Sequence, residues 1–224
     1  SGVSLSGPTV AAFFTIMGFS LFGKTPLNTT PIILGVFIAS RLRGKPFKSY
    51  LLIALFGTAL GPLVSYMIFE AGLTGIYALV LGIFCGTLAG FILPALAMAM
   101  LRMHEGFNLY NIGLTCGFLA LFAAAFLVGA QRDITIKIIW NTQPPLSLIL
   151  LTPILSLLFI IWGAIMDGSK LYKNLLSIMK LSGRLPTDFM DEVSQGSSFV
   201  NAGILGLAGT TYLLIIKAPF NGPV

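Results

Sequence analysis

The chain has 224 residues, of which only 9% are charged (13 Lys and Arg, 7 Asp and Glu), whereas a soluble domain carries about 25%. Hydrophobic residues make up 56%, aromatics 12%, and the mean hydropathy is +0.96; one compact core cannot hide that much apolar side chain from water, which excludes a soluble globular domain and intrinsic disorder and leaves the lipid bilayer as the expected solvent. The net charge of +6 does not point to nucleic acid, because its lysines and arginines cluster between apolar runs, as in the cytoplasmic loops of membrane proteins.

The first apolar runs, residues 8–22 and 31–40, are short. At about 1.5 Å per residue they reach about 22 and 15 Å, which fits either a thin crossing or a re-entrant hairpin whose polar turn, residues 23–30, lies within the membrane. Each opens on a helix-start signature, Ser6-Gly7-Pro8 and Thr29-Thr30-Pro31. Five longer runs follow, at 49–69, 73–101, 107–129, 146–166 and 198–216, none containing Asp, Glu, Lys or Arg. Each is long enough to cross a hydrocarbon core of about 30 Å, and the second is long enough to tilt or to bend at Pro94.

Arg41, Arg43, Lys45 and Lys48 fall in one loop, and Lys170, Lys173, Lys180 and Arg184 in another. Both are expected on the cytoplasmic side of the cell membrane, with 70–72 and 130–145 outside, where Arg132 and Lys137 stand against Asp133. Residues 167–197 carry Leu171, Leu175, Ile178 and Met179 at helical spacing beside lysines. That pattern fits an amphipathic helix on the membrane surface, or equally a contact for a partner protein.

The closing Phe220-Asn221-Gly222-Pro223-Val224 echoes Leu5-Ser6-Gly7-Pro8-Thr9. Residues 1–220 are thus expected to form a single membrane domain, one repeat unit, with 221–224 the start of a second. The stretch from Ser6-Gly7-Pro8-Thr9 through Gly18-Phe19 and Phe22-Gly23-Lys24 to Asn28 and Pro31, with Met103-His104-Glu105-Gly106-Phe107-Asn108-Leu109-Tyr110-Asn111-Ile112-Gly113, resembles an uncharacterised, mainly bacterial family of multi-pass membrane proteins that carries only a domain-of-unknown-function label. The resemblance covers essentially the whole chain and implies two such units per protein. A site between units would then need the second repeat or a second copy of the chain. Five crossings plus a returning hairpin would make the second unit inverted; five plus a thin crossing would make it parallel.

Small residues recur at packing intervals: Gly57 and Gly61; Gly82, Gly86 and Gly90; Gly113 and Gly117; Gly203, Gly206 and Gly209. In lipid such rows let helix backbones approach closely. His104, Asn108, Asn111 and Thr115 fall within a sector of about 60° when projected on one helix, a polar stripe that serves either as glue between helices or as the lining of a solute path. Lys24, if its turn is re-entrant, needs a partner or a wet cavity inside the bilayer; at an interface it simply snorkels.

Enzyme motifs are absent. A single histidine excludes HExxH, and no GxSxG, Walker A, dinucleotide or Cys-x-x-Cys pattern occurs. Cys85 and Cys116 read as small thiols in apolar helices, and Asp188, Asp191 and Glu192 as a solvated face or a cap. No cofactor and no metal are expected. The sequence thus predicts an all-α polytopic membrane bundle that passes a small polar solute by way of Ser6, Gly7, Thr9, Lys24, Asn28, Thr29, Thr30, His104, Asn108, Asn111 and Thr115. The rivals are a non-transporting scaffold and a membrane-embedded enzyme using His104 and Glu105.

Overall fold

In the computed structural model the described residues are 6–21, 23–132, 134, 143–218 and 220. Leu5, Phe22, Asp133, Lys137 and the echo at 221–224 lie outside them. All regular structure among them is helical, and they fall into two compact units, Ser1–Ile136 and Lys137–Val224. Among the described residues, five helical segments are long and apolar enough to cross a membrane: Phe47–Phe69, Gly75–His104, Asn111–Gly129, Leu146–Ile178 and Gln195–Ile215. Large apolar side chains on them face outward, including Ile76, Phe84, Leu121, Phe122, Phe126, Ile161, Trp162 and Ile165. A surface of that kind would aggregate in water and is the normal exterior of a helix in lipid.

The first unit opens with α1 (Gly7–Ser20) and α2 (Pro26–Leu42). The second of these is longer than the apolar run 31–40, because Thr25-Pro26, not Thr30-Pro31, starts it. Proline fits the first helical position, where its missing N–H costs nothing, and the Thr25 backbone N–H is taken by the Asn28 side chain. Asn28, Thr29 and Thr30 are therefore helical, and the turn between the two helices is shorter than residues 23–30.

The span Phe47–Phe69 is also unlike a simple rod. A 3-10 turn (Phe47–Tyr50) leads into α3 (Leu51–Gly57), a second 3-10 turn (Thr58–Leu60) interrupts it, and α4 (Gly61–Phe69) completes it. Pro62 explains the break, since it has no N–H to offer the Thr58 carbonyl one turn earlier. By contrast α5 (Gly75–His104) runs through Pro94 as one element of about 45 Å. α6 (Asn111–Gly129) begins four residues later than the apolar run 107–129, after a turn set by the left-handed Glu105 and by Gly106.

α2 lies along α5, and α1 lies on α3. The core joins Ile32, Leu60, Val64, Ala89, Leu93 and Cys116. Two glycines let α2 and α5 meet backbone to backbone: a Cβ at Gly90 would strike the Ile32 carbonyl, and one at Gly35 the Thr87 carbonyl.

In the second unit α7 (Leu146–Asp167) packs on α10 (Gln195–Ile215) in the same manner. Gly163 faces the Gly196 carbonyl and Val200, and Gly203 and Gly206 face Ser156. A 3-10 turn (Gly168–Lys170) leads to α8 (Leu171–Ile178), and α9 (Phe189–Glu192) follows; both rest on α10.

Candidate functional site

Lys24 stands in the link between α1 and α2, held by its neighbours. The Asn28 side chain, 5% exposed, reaches back from the first turn of α2. Its Oδ1 accepts the Thr25 N–H (2.9 Å) and its Nδ2 donates to the Gly23 carbonyl (3.0 Å), so one amide grips the residues on both sides of Lys24. The other Nδ2 hydrogen goes to Ser65 Oγ on α4 (2.9 Å). Gly61 makes room for this clamp, because a Cβ there would stand 3.2 Å from Asn28 Oδ1.

So placed, Lys24 donates to the hydroxyl of Thr58 (Nζ to Oγ1, 2.7 Å), which in turn donates to the Leu55 carbonyl (2.6 Å). Thr58 is the middle residue of the span Phe47–Phe69 and lies in its break. The ammonium is also 5.0 Å from the centre of the Phe19 ring, an arrangement that favours a cation. An ammonium has three hydrogens to give. Among the described residues, one goes to Thr58 and no carboxylate pairs with Lys24.

Other cap residues are satisfied locally. The hydroxyls of Ser6 and Thr9 share a hydrogen bond (2.9 Å), with Thr9 buried and Gly7 opening α1. Thr29 donates to the Thr25 carbonyl (2.9 Å), and Thr30 is exposed.

His104, Asn108, Asn111 and Thr115 do not form one stripe on one helix. His104 ends α5, Asn108 lies in the turn, and α6 starts only at Asn111, so the 100° step does not run through the set. They are nonetheless connected. His104 Nδ1 accepts the backbone N–H groups of Gly106 (3.2 Å) and Asn108 (3.3 Å), which assigns the ring proton to Nε2. Nε2 then donates to Asn111 Oδ1 (2.8 Å), and Asn111 Nδ2 donates to the Ala97 carbonyl of α5 (3.2 Å). The Asn108 side chain accepts the Tyr110 N–H (2.9 Å), and the buried Thr115 hydroxyl donates to the Asn111 carbonyl (2.7 Å). Both ring nitrogens of His104 are thus engaged in closing the α5–α6 turn, and neither is poised on an open face.

Cys116, one residue further along, is buried with its thiol directed at the Phe56 carbonyl (3.9 Å), and the Phe56 ring meets Tyr110 edge to face. Gly113 gives room to the Tyr110 ring, whereas Gly117 and Gly209 have open space where a Cβ would stand. Asp188 caps α9 by accepting the Met190 N–H (2.9 Å). No group of three or more His, Cys, Asp or Glu that would hold a metal occurs among the described residues.

Three features escaped the reading of the sequence: Thr58 and Ser65 as partners of Lys24 and Asn28, the break in the 47–69 span, and Gly35, Gly163 and Gly196 as contact glycines. The signal for the second was present in Gly57-Thr58-Ala59-Leu60-Gly61-Pro62, whose two glycines and proline interrupt an otherwise continuous apolar run.

An all-helical fold with five membrane-length apolar helices, and a lysine clamped against a break in one of them, defines a multi-pass membrane protein. The chain belongs to the family described as "Protein of unknown function (DUF1576)", whose model matches residues 1–128 and 168–224. No curated protein and no solved structure matches it.

Proposed function

We propose that the protein passes a small polar solute across the cell membrane, and that Lys24 and Thr58 form the contact for an anionic or carbonyl oxygen of that solute. One observation carries the reading: an ammonium without a carboxylate partner among the described residues is held 2.7 Å from the middle residue of a membrane-spanning segment. Ionisable groups at that depth are costly and face a partner, water or a substrate path. The break at Thr58–Leu60 supports it further, because irregular backbone within a membrane is tolerated where it lines a cavity or is buried in protein. In this reading Asn28 and Ser65 position Lys24, and His104, Asn108, Asn111 and Thr115 hold α5 and α6 together and do not touch the solute. A second unit or a second copy of the chain completes the path.

Flux into proteoliposomes tests it. Small carboxylates, inorganic phosphate and neutral amides are offered to vesicles containing the full chain. At least one should accumulate, and Lys24→Gln should lower the rate about 10- to 100-fold, the equivalent of a charged hydrogen bond of about 1.5–3 kcal/mol. Thr58→Val should reduce it less. If no solute moves, or if Lys24→Gln folds and transports unchanged, the reading fails.

A further inference from the structure

The segment after α7 carries three parallel rows of side chains, each at i, i+4, i+7. Leu171, Leu175 and Ile178 form the row turned toward the protein, with Ile178 buried, and α8 rests on α10. Tyr172, Leu176 and Met179 form the next row, and all three are exposed, Tyr172 at 76% and Met179 at 81%. Lys173, Ser177 and Lys180 form the third row, with both lysines exposed and Lys170 exposed just before the helix. Met179 keeps helical dihedrals beyond the last residue of α8, so the rows continue past its formal end. A helix that simply covers the end of a bundle needs the first row only. The second row, three large apolar side chains facing away from the protein, has no structural purpose in water.

Position decides what covers it. Gly168, at φ 52 and ψ −127, breaks the apolar stretch Leu146–Ile178 after Asp167, and only the three residues Gly168–Lys170 separate α7 from α8, so α8 begins within a few ångströms of the end of α7. It is fixed there. Asp167, the last residue of α7, accepts hydrogen bonds from Asn174 of α8 (2.9 Å) and from Ser194, the cap of α10 (2.6 Å). Ser194 in turn accepts the Ser197 N–H (3.1 Å). One carboxylate thus ties the end of α7, the body of α8 and the start of α10.

We infer that α8 is a docking surface for anionic phospholipid: Tyr172, Leu176 and Met179 enter the boundary of the acyl chains, and Lys170, Lys173 and Lys180 meet the phosphate headgroups beside them. An apolar row flanked by lysines, tied to the end of α7 and the start of α10 by Asp167, is the arrangement by which interfacial helices bind such surfaces. Tyrosine suits the same boundary, with its ring in the apolar layer and its hydroxyl in the wet one. The inference does not depend on any solute being transported.

The full chain in nanodiscs of phosphatidylcholine mixed with phosphatidylglycerol tests it in two ways. Spin-labelled phosphatidylglycerol should be enriched around the protein over spin-labelled phosphatidylcholine. That enrichment should fall about five-fold for each of Lys173→Gln and Lys180→Gln, which are surface changes that leave the fold intact. A nitroxide at Met179→Cys should be relaxed by oxygen more than by a water-soluble nickel chelate, as expected of a site in the acyl boundary. Equal affinity for the two lipids would overturn the inference. So would a Met179 label reached by the chelate, meaning a face in water, or by neither reagent, meaning a face covered by protein.

Discussion

Asn28 joins the α1–α2 link to α4 through a single side chain. Its amide satisfies the Gly23 carbonyl, the Thr25 N–H and the Ser65 hydroxyl at once, and it does so while almost fully buried. Removing it leaves three polar groups short of a partner, and in a bilayer, where no water replaces the lost bonds, each unsatisfied group costs about 1–3 kcal/mol. Asn28→Ala should therefore lower stability by at least about 2 kcal/mol, read as a reduced thermal midpoint in detergent, and should release Lys24 from Thr58. Asn28→Asp should be nearly as harmful, because it keeps the bond from Thr25 but gives up both donors. An unchanged midpoint for either variant would show that the clamp contributes nothing. At this scale the sequence exposed half of the arrangement. Lys24 and Asn28 stand out as polar residues between apolar runs, but Thr58 and Ser65 are single hydroxyls inside one, 34 and 37 residues away, and no periodicity connects them. His104 and Asn111 stand out equally well, yet their projection on a common helix misplaces them, because Glu105 and Gly106 reverse the chain between the two.

At the scale of helices, contact glycines decide which elements meet. The rows Gly82, Gly86, Gly90 and Gly203, Gly206 lie where neighbouring helices approach, and their spacing alone singled them out. Gly35, Gly163 and Gly196 did not belong to any row, and their roles follow only from the helix opposite. Gly117 and Gly209 do belong to rows and touch nothing. This difference predicts opposite outcomes for similar changes. Gly90→Val places new atoms against the Ile32 carbonyl, a backbone group with no rotamer by which to yield, so the separation of α2 and α5 must grow and folded protein should be lost. Gly117→Ala meets open space in a regular helix and should be neutral or stabilising by about 0.5–1 kcal/mol. Comparing folded yield and thermal midpoint of the two variants checks both, and equal tolerance would mean that α2 and α5 are not in backbone contact. Helix starts follow the same logic. Thr25-Pro26 and Thr30-Pro31 are alike as motifs, and the first was chosen because Asn28 stands where it can cap Thr25.

For the molecule as a whole, the number of crossings is the open quantity, and α1 and α2 control it. Counting Phe47–Phe69 outward from the basic loop at 41–46, the turn at 105–110 falls on the same side as that loop, and 70–74 falls on the other. The α1–α2 link lies at the level of Thr58 to Ser65, to which Lys24 and Asn28 bind it, and so stops short of the end of that span at Phe69. From there α2 runs back along α3 and α4 to the basic loop, while α1 lies on α3, the half of the span nearest that loop. Both helices thus belong to the side from which the span starts, which makes the pair a returning hairpin. Single cysteines read by a membrane-impermeant thiol reagent in sealed vesicles decide the matter. Cysteines at Lys45 and Glu105 should react from one side only, a cysteine at Gly72 from the other, and one at Ser6 from the same side as Lys45. Reaction of the Ser6 position with Gly72 instead would turn the hairpin into a crossing, and Lys24 would then lie in a helix connection near the outer surface and no longer at a re-entrant tip.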